Sequence, residues 1–183
     1  MGNFSRQFKS FFKNHRKVWE QLAHDIGAKF VKNGLFKPFE VIKTQDNFTL
    51  KLDSVTKMSG NHVQYITRFQ TTCNASADLY FLIVRKHFFN KKAPKNTESF
   101  NTDLEIFEQK FRLFVSSSRE IRPVLNRKLL LNIAEQQPFT SIRLELKAKN
   151  LELTIAALVK DIDQLKSLFV FMKELRNQFA KQE

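Results

Sequence analysis

A chain of 183 residues with 42% apolar side chains and 20 phenylalanines can bury a sizeable core without disulfides or a structural metal. Four glycines and four prolines exclude a loop-dominated or collagen-like chain, and the longest uninterrupted apolar run, Leu79 to Val84, is far too short to span a bilayer. The formal net charge of +13 draws polyanions, whether nucleic acid or anionic lipid headgroups, and equally serves solubility through self-repulsion.

The surplus of positive charge falls within residues 1–150, while residues 151–183 are neutral overall. Cys73 is the only cysteine, so no intrachain disulfide can form and a reducing compartment is favoured. Lys9 and Lys13 interrupt what would be the apolar part of a signal peptide, and Arg6 stands where a myristoylation signal needs Ser or Thr. The expectation is a cytoplasmic protein, with attachment at the inner membrane face as its peripheral variant.

Residues 1–17 hold Arg6, Lys9, Lys13, Arg16 and Lys17 and no acid, interleaved with Phe4, Phe8, Phe11 and Phe12. The aromatics continue into His15, Val18, Trp19, Leu22, Ala23 and Ile26 at spacings of three and four, which predicts one helix. Gly27 marks its end, although Phe30 extends the stripe, and Lys32 to Pro38 reads as a turn region. Three readings of the N-terminal stretch stay open. It suits a membrane interface, with rings inward and cations toward headgroups; it suits a partner's groove; and it suits packing on the sheet.

Strands follow. Phe48, Leu50 and Leu52 alternate with polar residues, Ser59-Gly60-Asn61 is a turn, and Val63, Tyr65, Thr67 and Phe69 alternate again. Leu79 to Val84, apolar at every position, predicts a central strand covered on both faces. Residues 89–102 lose periodicity and read as a long exposed loop. Lys86, Lys91, Lys92 and Lys95 lie in or beside it with His87, Phe88 and Phe89, a mixture of cations and rings that suits single-stranded nucleic acid as well as a solvated loop.

A further strand is expected near Phe107 to Val115. Ser117 and Glu120 are spaced as a capping box, and Pro123, comfortable only in a first turn, sets a helix from about there to Glu135. Ile142, Leu144 and Leu146, then Leu151, Leu153 and Ile155, alternate on either side of a turn at Lys149-Asn150, predicting a hairpin over 141–157. Asp161 and Gln164 open a final helix of about 161–181 whose apolar stripe runs from Ile162 to Phe179.

Val18-Trp19-Glu20-Gln21-Leu22-Ala23 with Gly27 and Phe30, the strand residues Leu79, Phe81 and Ile83, and the set Asp103, Phe107, Glu108 and Phe111 together resemble a family of uncharacterised bacterial domains. That family opens with a W/Y-x-x-LA…G…F helix, continues through a meander and an L-x-F-x-I strand to a G-D-x-x-F-D-x-x-F segment, and closes with a helix, a hairpin and a helix. The resemblance spans roughly residues 14–180. Thr102 stands at the family's glycine, and the lysine-rich loop replaces the segment before it. What it implies is the fold; no activity comes with it.

Chemistry has few candidates. His15, His24, His62 and His87 lack metal-ligand spacing, and no glycine-rich phosphate loop or nucleophile elbow occurs. His62 and His87, at a strand start and a strand end, are placed to meet across the sheet. Cys73 reads as an inert thiol rather than a nucleophile. Asp103, Glu105 and Glu108 form an acidic cluster in which Asp103 and Glu105 would share one face of a strand, either to bind a cation or do acid/base work, or to neutralise neighbours such as Lys110 and Arg112 or cap a turn.

The expectation is therefore an α+β fold: an antiparallel sheet with an N-terminal, a middle and a C-terminal helix packed against it. Residues 1–17 form a basic aromatic segment ahead of a single domain over 18–183. The chain reads as non-catalytic, with no cofactor or metal. Its binding residues are Phe4, Arg6, Phe8, Lys9, Phe11, Phe12 and Lys13, for an anionic membrane surface, a partner protein or self-association. The alternative is nucleic acid on Lys86, Lys91, Lys92 and Lys95.

Overall fold

The structure, a computed structural model, describes residues 15–32, 39–45, 48–59, 62–86, 93–135 and 142–180. Its frame is an antiparallel sheet of nine strands among those residues: β1 (Lys29–Val31), β2 (Glu40–Gln45), β3 (Phe48–Ser59), β4 (His62–Thr72), β5 (Phe81–Arg85), β6 (Glu98–Ser99), β7 (Phe111–Val115), β8 (Ile142–Lys147) and β9 (Asn150–Ile155). They lie side by side in the order β1-β2-β3-β4-β9-β8-β5-β7-β6. The helices are α1 (residues 15–25), α2 (Glu105–Lys110), α3 (Ser118–Ile121), α4 (Arg127–Glu135) and α5 (Ile162–Ala180).

Period-two alternation sorts the side chains to two faces. Leu52 pairs with Phe69, Phe69 with Leu153, Leu153 with Leu144, and Leu144 with Ile83, so one row of buried apolar residues crosses five strands. Helix residues Trp19, Leu22, Phe107, Ile121, Leu130, Leu168 and Met172 join that row in a single core. Phe169 meets Phe69 edge-on at 5.2 Å between ring centroids, and Phe179 stacks on Phe81 at 6.3 Å.

The opposite face is polar in its middle. Arg68 donates from Nε and Nη2 to the two oxygens of buried Asp53 at 2.8 and 2.7 Å, Lys51 bridges Asp53 and Glu40, and Arg143 pairs with Glu145. Toward β5 and β7 the same face carries a smaller apolar cluster of Leu82, Val84 and Phe114, with Tyr80 against it. That cluster is why β5 lacks alternation.

Several boundaries differ from expectation, each for a local reason. Gly27, at φ +61°, turns the chain out of α1, so Phe30 belongs to β1 and packs on Phe39 instead of extending the helix. The strand expected from Phe107 begins only at Phe111. The residues before it form α2, which brings Phe107 and Phe111 onto one another at 5.3 Å, an i,i+4 contact a strand cannot make. The middle helix is interrupted: Ser117 caps α3, and α4 starts beyond Pro123, with Asn126 Oδ1 accepting from the Leu129 amide. The hairpin turn sits at Ala148-Lys149, one residue earlier than expected, both in left-handed conformation. Within the expected loop, Glu98–Ser99 forms β6. Strand β2 falls where no regular element was expected.

Candidate functional site

The predicted N-terminal binding residues Phe4, Arg6, Phe8, Lys9, Phe11, Phe12 and Lys13 lie outside the described residues, as do Lys91, Lys92 and His87. What is described is how the following helix is held. Trp19, Leu22 and Ala23 are buried in the core, and the Trp19 indole donates to the Val159 carbonyl at 3.3 Å. Arg16 and Lys32 both reach Glu20, at 3.1 and 3.3 Å. Burial pushes the Glu20 carboxyl up, but these two cations outweigh it and hold it below the usual range. At the other end of α1, Lys43 Nζ from β2 donates to the carbonyls of Ile26 and Gly27 at 2.6 and 3.1 Å, capping the negative end of the helix dipole.

Of the lysines assigned to nucleic acid, Lys86 directly follows β5, an interior strand flanked by β8 and β7. Lys95 lines an open cleft of about 420 Å³ with Asp78, Tyr80, Glu145 and Lys147. Acids and bases are mixed there. The polar sheet face is likewise compensated, because Arg68, Lys51 and Arg143 each pair with carboxylates.

The acidic cluster has structural partners. Glu108 Oε1 accepts from the amide and the hydroxyl of Thr102 at 2.9 and 2.7 Å, and Glu105 accepts from Gln109 one turn on. Asp103, at φ +56°, precedes α2, so it and Glu105 do not share a strand face. The buried Cys73 thiol is pushed up to about 11 by desolvation, so it stays protonated at neutral pH. Burial likewise raises the Tyr80 phenol, helped by Glu145, to which it donates at 3.0 Å. Among the described residues no group of three His, Cys, Asp or Glu side chains is placed to hold a metal ion, and no helix is long and apolar enough to cross a membrane.

Two surface features had no sequence signal strong enough to single them out. The half of the β3–β4 hairpin beyond Asp53 and Thr67 pairs, among the described residues, only with itself, and it exposes Met58 (75%) and Val63 (43%) side by side. A groove of about 350 Å³ opens where α1, β2, β3 and α5 meet. Its residues come from three stretches of the chain, 25–26, 43–50 and 166–173, and only the fold joins them.

No family model matches the chain, and no curated protein matches it. Among solved structures it is similar to the crystal structure of the mycobacterial trehalose monomycolate transport factor A, TtfA, with a TM-score of 0.61 and 6% sequence identity, over 90% of this chain and 93% of that one. At that identity the likeness is one of fold: a nearly full-length shared architecture.

Proposed function

We propose that this protein is a non-catalytic binding domain that engages an anionic membrane surface through residues 4–13. The observation that carries this reading is the composition of residues 1–17, five cations and four phenylalanines without an acid, leading into a helix whose own apolar face is already committed to the core. Rings at the acyl boundary and cations toward headgroups are what an interfacial helix needs. Docking of a partner protein on the same residues is the variant of this reading. The solved fold neighbour is described as a transport factor, in keeping with a binding role. The nucleic-acid alternative has less support, since Lys95 shares its cleft with Asp78 and Glu145.

Co-sedimentation of the full chain with vesicles tests the proposal. Binding to vesicles containing phosphatidylserine is expected, with little to phosphatidylcholine alone and little after deletion of residues 1–13. Equal binding to both lipids, or undiminished binding after the deletion, contradicts it. Retention of a nucleic-acid oligomer in place of vesicles would favour the alternative.

A further inference from the structure

The groove between α1, β2, β3 and α5 has an apolar floor and a cationic rim. Phe48, Leu50 and Phe169 form the floor, and Val170 of α5, 56% exposed, extends it to the surface. Lys43, Lys166 and Lys173 stand around it, with Asp25 the one acid lining it among the described residues. Asp25 is taken by Lys166 at 2.6 Å. The other two lysines rest on neutral acceptors: Lys43 on the Ile26 and Gly27 carbonyls, Lys173 on Gln45 Oε1 at 3.2 Å.

Those oxygens take up three of the six ammonium hydrogens and, being neutral, leave the net charge in place. A further cation lies next to them. Arg176, three residues after Lys173, holds its guanidinium 4.7 Å from the Phe48 ring centroid, and its buried Nε has no hydrogen-bond partner among the described residues. Cations above a low-dielectric wall focus their field on whatever enters, and about 350 Å³ is within the range of small-molecule sites.

We propose that this groove binds a long-chain fatty acid, its carboxylate at Lys173 and Lys43 and its chain along Phe48, Phe169 and Val170. An anionic head satisfies the uncompensated charge and a single acyl chain covers the floor; neither a purely polar anion nor a neutral hydrocarbon does both. The site uses only described residues and does not depend on residues 4–13.

Calorimetric titration of the full chain with oleate, below its micelle concentration, tests it. Saturable one-to-one binding is expected, and oleyl alcohol, which lacks the charge, should bind at least about tenfold more weakly. Lys173→Glu and Val170→Asp, both on the accessible side of α5, should each weaken oleate about tenfold while thermal midpoints stay within a few degrees, and two variants guard against one misfolding. Deleting residues 1–13 should abolish vesicle binding and leave oleate binding intact, which separates this site from the membrane segment. Absence of saturable binding, equal affinity for oleyl alcohol, indifference to both substitutions, or loss of oleate binding with the deletion would each overturn the assignment.

Discussion

Thr67 joins two segments ninety residues apart. Its amide and its hydroxyl both donate to the Ala157 carbonyl, at 3.0 and 2.7 Å, and its Oγ1 accepts from the Val159 amide at 2.9 Å. The hydroxyl thus settles the backbone of the link between β9 and α5, where a buried orphan amide would be costly. Thr67→Val keeps the volume and strands the Val159 N–H, so it should destabilise the fold by about 1–3 kcal/mol in urea melts. Cys73 makes a second prediction. Burial raises its thiol pKa from 9.0 to about 11, so the folded state holds the proton more tightly than the unfolded one. The resulting stabilisation is complete below pH 9 and is lost as pH rises toward 11. Cys73→Ala should therefore flatten the fall in stability across that window, leaving the loss due to Tyr80, whose raised pKa acts in the same direction. An equal slope in both proteins would contradict the assignment.

Among the elements, the terminal hairpin and α5 were the most legible. Ile142, Leu144 and Leu146 face Ile155, Leu153 and Leu151 in register, and Asp161 accepts from the amides of Asp163 and Gln164. Periodicity and cap chemistry are local signals, and in these strands and this helix start no tertiary contact overrides them. Where the reading failed, the deciding term was nonlocal or conformational. Residues 105–110 coil because Phe107 is wanted in the core beside Phe111, and the hairpin turn moves to Ala148-Lys149 although neither favours positive φ. That turn is held by Cys73, whose amide donates to the Lys149 carbonyl at 3.0 Å. Left-handed backbone at such residues costs roughly 1–2 kcal/mol each, so replacing Ala148-Lys149 by Asn-Gly should stabilise by about 1 kcal/mol and raise the melting temperature. Leu168, buried beside Ile133, Ile142, Leu144, Leu153 and Phe171, should cost about 2–5 kcal/mol on truncation to alanine. Removing Lys166, whose pairing with Asp25 is at the surface, should leave the melting temperature nearly unchanged.

For the molecule as a whole, a charge of +13 suits an anionic partner or solubility alone, and in the sequence it carries no address. The fold shows how part of that charge is distributed. The polar sheet face pairs its bases with acids and the Lys95 cleft mixes the two, whereas Lys43 of β2 and Lys173 of α5 line one groove with Phe48, over whose ring Arg176 lies. No sequence window contains that groove. The N-terminal segment is the opposite case: its rings and cations stand interleaved within seventeen consecutive residues without a single acid. Each cation near an anionic surface contributes about 1 kcal/mol, so the combined change Arg6→Gln, Lys9→Gln and Lys13→Gln should lower vesicle partitioning about 100-fold. The measurement that tests the membrane reading most directly is that partition coefficient for the full chain and the triple variant, followed as salt is raised. Steep salt dependence is expected for the unaltered chain and a weaker, flatter curve for the triple variant; superimposable curves would rule out membrane binding through these cations.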